Sequence, residues 1–369
     1  MTTTKPDVLV VGAGIFGLSV AWAAHYRGLR VRVLEAERVA SGASGGVVGA
    51  LSPHVPDQWN PKKQFQFEAL STAARHWAEV DRISGLTSGY GRTGRLMPLP
   101  SAEAAGRAEA RAADATQNWG TVARWETVAG HPLISPSQAP HGLIHETLSA
   151  RLFPRAACLS LAQALRKLGV EISEHTQITR VAHGRVETSA GPIAADQIVL
   201  AAGVPGFALM APLLGQSTGV GVKGQAALVK AALPPGSPIL FHDGLYVIPH
   251  ADGMVAVGST SENRFDDATT TDEQLDTLLA RAAVLCPALT GAEVIQRWAG
   301  VRPKARRRDP MLGPIPGHPG IFAATGAFKI GFGIAHKVGE SLADMLTGQP
   351  PDLPPSFAVA HHMETVPSA

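Results

Sequence analysis

At 369 residues, with 45% hydrophobic and 17% charged side chains, the chain is too long for one ordinary domain, suits two, and is globular rather than disordered in character. A formal net charge of +2, with no long basic stripe interleaved with aromatics, gives no electrostatic support for nucleic acid as a partner. The two cysteines, Cys158 and Cys286, lie far apart and in no C-x-x-C or Cys/His cluster, which argues against a disulfide framework or a zinc site.

The lead MTTTKPD is polar, no apolar signal-type region follows it, and no uninterrupted apolar run reaches about 18 residues. The expectation is a cytoplasmic protein without a membrane span. Val8 to Val11 is a short continuous apolar run, the pattern of a strand buried on both faces of a parallel sheet. From Ile15 to Arg27, Leu18, Ala21, Trp22 and Ala24 recur at helical spacing, Gly28 stops the helix, and Val31 to Leu34 predicts a second strand. This is a βαβ unit.

Ser41 to Gly49 is a loop of small residues, suited to a backbone pressed against a ligand, and a helix is predicted over Lys63 to Ile83. Residues 85 to 145 mix short strands, a polar helix near 101 to 118 and Pro/His turns, the texture of a second domain. A helix over Leu159 to Leu168, a strand at Val170 and Ile172, a hairpin through Ile178, Val181 and Val186, and the strand QIVL ending in Ala201, Ala202 and Gly203 return to α/β character. The first domain is therefore expected to be discontinuous. Alternating runs at Ala226 to Val229, Leu245 to Ile248 and Met254 to Val257, then a helix over Asp272 to Leu285, make residues 219 to 298 β-rich. A Pro-rich connection, a strand Ile321 to Ala324, the run GAFKIGFG and a helix to about Leu346 follow, and the last twenty residues read as a mobile tail.

The sharpest motif is Gly12-Ala-Gly14-Ile15-Phe16-Gly17 between strand and helix, with Glu35 at the end of the second strand, 23 residues after Gly12. Gly12 permits the tight turn, Gly14 admits a pyrophosphate to the backbone, and Gly17 lets helix and strand pack closely. The helix N-terminus offers N–H groups and partial positive charge to phosphates. Glu35 can accept hydrogen bonds from ribose hydroxyls and disfavours a 2′-phosphate. The fingerprint points to a dinucleotide and leaves FAD and NAD open.

Four stretches together resemble the glycine oxidase/D-amino acid oxidase family of flavoenzymes over nearly the whole chain. They are VVGAGIFGLSVAWAAHYRGLRVRVLE, the loop SGASGGVVGALSP, the block from Leu159 to IVLAAG, and WAGVRPKARRRDPMLGPIP with IFAATGAFKIGFGIAHKVGE. The resemblance implies a discontinuous Rossmann-like FAD-binding domain of α/β type and an α+β substrate domain built on a mixed or antiparallel sheet. The expected segments are 1–84, 146–218 and 299–348 for FAD, 85–145 and 219–298 for substrate, and 349–369 as tail. It implies noncovalent FAD, held by the Gly12–Gly17 turn with Glu35 and Ala36, and by Ser41, Ala43, Ser44, Gly45, Gly46, Val48 and Gly49 along the small-residue loop. Ala201, Ala202 and Gly203 fall near the adenosine end, and Arg302, Gly326, Phe328, Lys329, Ile330 and Gly331 near the flavin.

By the same resemblance, Arg302, in a G-x-R-P setting, binds the substrate carboxylate, and its planar fork matches two carboxylate oxygens. Tyr246 offers a phenol to the same carboxylate. Lys329 supplies a cation to the reduced flavin, where many relatives carry arginine. His54, His242, His250 and His336 are further candidates, more simply read as structural or exposed, and the run Lys304 to Arg308 reads as a solvated loop. The implied activity is oxidation of an amino acid or N-substituted glycine, such as glycine, sarcosine, a D-amino acid or an opine-like amine. Oxygen, a quinone or a partner protein would reoxidise the flavin, and a homo- or hetero-oligomer is compatible with the reading. The competing readings are a FAD-binding subunit of a multi-subunit amine dehydrogenase or a noncatalytic flavin-binding protein, and an NAD-dependent dehydrogenase.

Overall fold

Val8–Val11 is buried at every residue because it lies inside a six-stranded sheet, paired in parallel with Val31–Leu34 on one side and Gln197–Leu200 on the other. The computed structural model describes residues 5–363. The strand order is Met311–Pro314, Ile321–Thr325, Gln197–Leu200, Val8–Val11, Val31–Leu34, Glu171–Ser173, parallel throughout except for the Met311–Pro314 edge. Burial on both faces explains the apolar runs without alternation. The covering helices include Ile15–Tyr26, Pro154–Lys167 and Gly331–Leu346. The first and last of these press together at Gly339, where a β-carbon would stand 2.3 Å from the Ser19 carbonyl oxygen.

Pro61–Ser84 forms a long helix over the same face. It starts at Asn60, whose side chain accepts hydrogen bonds from the Lys62 and Lys63 amides, and stops at Gly85, whose φ of 73° favours a residue without a β-carbon.

The second large sheet has eight strands in the order Glu293–Ala305, Gly219–Lys230, Met254–Gly258, Leu245–Pro249, Ile239–His242, Arg95–Pro98, Leu143–Glu146, Trp125–Val128. All neighbours are antiparallel except Ile239–His242 with Arg95–Pro98. One face is closed by the helix Glu273–Leu285, which buries Leu275, Leu278, Ala282 and Leu285 at the spacing of one helix face. The architecture is thus an α/β dinucleotide-type unit beside a mixed sheet. Among the described residues no helix is long and apolar enough to cross a membrane, and no cluster of metal-ligating side chains is present.

Two expectations change, and one element is added. Residues 299–305, read as a Pro-rich connection of the FAD segment 299–348, are the second half of the strand Glu293–Ala305 in the eight-stranded sheet. Pro303 is accommodated because this strand is the edge. The helix Gly203–Leu214 has no counterpart in the sequence reading: it is apolar all round, so it lacks a helical stripe, and Pro212 interrupts it near its end. The segment 349–369 is not a free tail as far as it is described, since Phe357, Val359 and His362 of Pro355–Phe357 and Val359–Met363 are all at most 2% exposed. Residues 364–369 of that expectation, and the polar lead 1–4, lie outside the described residues.

Candidate active site at the junction of the two sheets

The glycine turn is built by contacts that exclude side chains. Gly12 has φ of 108°, and a β-carbon there would stand 2.6 Å from the Ala201 carbonyl oxygen, so the turn after the first strand and the Ala201–Gly203 turn are pressed together. A β-carbon at Gly17 would stand 1.9 Å from the Gly12 carbonyl oxygen, which is the close approach of helix to strand that the motif requires. Gly14 differs, because a β-carbon there would meet only the Ser44 side chain, at 3.1 Å. Space beside the bare Gly14 backbone is what a diphosphate needs, and the helix Ile15–Tyr26 that begins there carries no acidic residue in its first turn to repel it. Ser44 Oγ, from the small-residue loop, accepts the Ile15 amide at 3.1 Å. Glu35 is held in place by two main-chain amides: Oε2 accepts the Ala13 amide at 2.7 Å and Oε1 the Glu37 amide at 3.0 Å.

From this turn a cavity of about 1360 Å³ runs to the eight-stranded sheet. Its walls include Gly12, Gly14, Ile15, Phe16, Glu35 and Ala36 at one end. Ser41, Ala43, Ser44, Val48 and Gly49 flank it along the loop, and Ala201, Ala202 and Gly203 line it beside the glycine turn. Tyr246, Arg302, Gly326, Phe328, Lys329 and Gly331 line the remainder. Four expected residues do not line it. Gly17 packs under the turn, and Gly45 sits 2.3 Å (β-carbon) from the Ala40 carbonyl oxygen with its own carbonyl held by Arg155 at 3.0 Å. Gly46 abuts the Trp298 ring, and Ile330 caps the last helix and packs on the core beside the six-stranded sheet.

Arg302 rises from the edge strand and leans over Gly224, where a β-carbon would stand 1.8 Å from Nη1. Nη2 donates to Ser259 Oγ at 2.7 Å and Nη1 to the Thr260 carbonyl at 3.3 Å. Burial pushes the guanidinium down to about 10, with Glu262 opposing that shift, so it stays charged at neutral pH. Glu262 is itself tied into the sheet by Lys223 at 3.8 Å and Gln225 at 3.1 Å. Tyr246 lies against Phe241, ring centroids 4.5 Å apart. Lys329 places Nζ 5.4 Å from the Phe328 ring centroid, and its pKa is lowered by burial and by the charge of Arg302.

The four histidines do not line the cavity. His250 Nε2 pairs with the Val47 carbonyl at 2.8 Å, His54 with Gln66, and His336 stacks on His76 while pairing with Thr72 Oγ1 at 2.9 Å. His242 sits in the strand pair with Leu245. In the basic run, Arg306 is bonded to Gln216 Oε1 and the Ser217 carbonyl, both at 2.9 Å.

Sequence reasoning missed Ser259, which holds the Arg302 fork, and Trp298, which closes the cavity beside the loop. Trp298 opens the quoted block WAGVRP, but only the strand register shows that it shares a sheet face with Ala226. The wall from the unforeseen helix Gly203–Leu214, including Val204 and Leu209, was also missed.

Comparison with known proteins accords with this geometry. The model of the family described as FAD dependent oxidoreductase matches residues 7–345. The glycine oxidase of Pseudomonas aeruginosa is 31% identical, covering 95% of this chain and 97% of its own. That of Pseudomonas putida is likewise 31% identical with the same coverage. The crystal structure of glycine oxidase from Geobacillus kaustophilus, 23% identical, shares the fold with a TM-score of 0.87 over 97% of this chain and 99% of that one. The choice between FAD and NAD that the glycine fingerprint leaves open is thereby decided, and the chain belongs to the FAD dependent oxidoreductase family, as a flavoenzyme that uses FAD.

Proposed function

We propose that this enzyme oxidises the C–N bond of a small amino acid or N-substituted glycine. The observation that carries the reading is the Arg302 fork, oriented by Ser259 and Thr260 and lining the same cavity as the glycine turn. A carboxylate is the natural partner of a desolvated, charged, planar guanidinium. Gly14, the start of the helix Ile15–Tyr26 and Ser44 would hold the diphosphate of FAD, with Glu35 on the adenosine ribose. Attachment is noncovalent in this reading, since among the described residues no cysteine or histidine lines the cavity. When bound, FAD supplies two-electron oxidation of the carbon bearing the amine, and the resulting imine hydrolyses in water.

The chain's own residues then have positioning work. Arg302 and the Tyr246 phenol fix the carboxylate, so the adjacent carbon has one orientation toward the flavin. Lys329, exposed beside the last helix's N-terminus, offers positive charge where the reduced cofactor gains electrons. In functional terms the six-stranded unit carries cofactor and the eight-stranded unit carries substrate. The test is an anaerobic screen of glycine, sarcosine, D-amino acids, proline and opine-like secondary amines for loss of the oxidised flavin spectrum, repeated with oxygen. Bleaching by one amine class supports the reading. A flavin reduced by none of them would overturn it in favour of a noncatalytic FAD-binding subunit.

A further inference from the structure

We propose that Trp298 sets the upper size of the group carried on the substrate's α-carbon or amine, an inference that rests on the amine-oxidation reading above. Strand register puts Trp298, Ala226, Gly258 and Tyr246 in one row across four neighbouring strands. Directly paired residues project from the same face of a sheet, and strands lie about 4.8 Å apart, so the two aromatic residues stand roughly 14 Å apart along the row. Between them lie Ala226 and Gly258, and the Val48 side chain of the small-residue loop rests on Gly258, where a β-carbon would stand 2.5 Å from its Cγ2. Gly300 and Gly224 are paired in the adjoining part of the floor, and the Arg302 guanidinium lies on it. The floor is therefore covered by side chains, Trp298 over Gly300, Arg302 over Gly224 and Val48 over Gly258, and the indole and the carboxylate fork are neighbours because Gly300 and Gly224 beneath them are directly paired.

Trp298 has nowhere to retreat. A β-carbon at Gly300 would stand 2.4 Å from its Cζ2, and one at Gly46 3.2 Å from its Cη2, so the indole is wedged between its own strand and the small-residue loop. The opposite ring, Tyr246, is backed by Phe241. A fixed wall rejects each surplus methylene by roughly 10- to 200-fold. The expected preference is for glycine and N-methylglycine over aryl-substituted amino acids.

The experiment compares the FAD-loaded wild type, W298A and G300A. The first readout is kcat/KM for glycine, sarcosine, N-benzylglycine and D-phenylalanine. The second is Kd for acetate and benzoate, read from the perturbed flavin absorbance and needing no turnover. In W298A the bulky-to-small ratio of kcat/KM rises at least about 10-fold and benzoate gains on acetate. In G300A, where a methyl on the floor lifts the indole, both ratios fall. Ratios within twofold of wild type in a W298A enzyme that keeps its flavin and melting temperature overturn the proposal. If no form oxidises any amine while the benzoate-to-acetate ratio still shifts, the amine reading fails and the role of Trp298 stands. Should W298A lose flavin, W298L carries the same comparison with the same criterion.

Discussion

The two sheets build their halves of the cavity in opposite ways. At the six-stranded sheet the site is made by side chains that are absent: the Gly12, Gly14 and Gly17 backbone, the Ala201–Gly203 turn and the small-residue loop. At the eight-stranded sheet it is made by side chains that are present, with Arg302 lying on Gly224, Trp298 on Gly300, and Tyr246 at the far end of the row that runs from Trp298 through Ala226 and Gly258. A cofactor contacted through its phosphates needs main-chain N–H groups, whereas a small carboxylate needs a fork and walls. Substitution should therefore act as a threshold on the first side and as a graded effect on the second.

The largest effect tests that threshold. Gly17→Ala puts a methyl 1.9 Å from the Gly12 carbonyl oxygen, a backbone clash that no side-chain motion relieves. The expected outcome is loss of soluble yellow protein. Gly14→Ala meets only the Ser44 hydroxyl at 3.1 Å, so the apoprotein should melt within about 3 °C of wild type while FAD affinity falls at least ~10-fold. Melting curves of the apo forms and flavin titration check both. A Gly14→Ala apoprotein as unstable as Gly17→Ala would break the distinction between a glycine kept for packing and one kept for the ligand.

On the other side, Arg302→Ala should retain FAD and raise KM by roughly 30-fold to several thousand-fold, the range for truncating one partner of a buried charge pair, about 2–5 kcal/mol. Arg302→Lys keeps the charge without the fork and should fall between. Steady-state kinetics beside the flavin absorbance decide it, and an unchanged kcat/KM in a yellow Arg302→Ala enzyme would remove Arg302 from substrate recognition.

The same contrast explains what the sequence made legible. The glycine turn could be read because its residues are contiguous and each glycine answers a local backbone demand, as at Gly12 with its positive φ. The runs Val8–Val11 and Gln197–Leu200 were legible because burial on both faces leaves an uninterrupted apolar signature. Arg302 was reached through its G-x-R-P setting, not through periodicity. Ser259 and Trp298 stayed hidden because their importance depends on register between strands distant in sequence, which no local pattern encodes. The Gly203–Leu214 helix was hidden for a different reason, an apolar surface on every side that removes the helical stripe.

The smallest effect asks whether acid loosens one region before the other. His76 and His336 stack at 4.9 Å between the helices Pro61–Ser84 and Gly331–Leu346, on the six-stranded unit, with Trp22 edge-on to His76. Burial pushes His336 down to about 4, helped by the charges of Lys337 and Arg75, and holds His76 well below its ordinary value, with His336 adding to it. Both pKa values are lower folded than unfolded, so the unfolded chain takes up protons first as pH falls below about 6.5. Stability is complete above that pH and declines toward pH 4 by up to ~1.4 kcal/mol per pH unit for each site. His76→Phe keeps the aromatic packing and removes one titrating group together with a buried Nε2 that has no partner among the described residues. Its melting temperature at pH 7 should match wild type within about 2 °C, and its loss between pH 7 and pH 5 should be smaller by roughly 2–4 °C. Free-flavin fluorescence should rise on acidification at a lower pH in the variant than in wild type, because the stack braces the six-stranded unit proposed to carry the cofactor. An identical acid profile in both would place the acid-sensitive groups elsewhere and leave the two sheets equal in their response to pH.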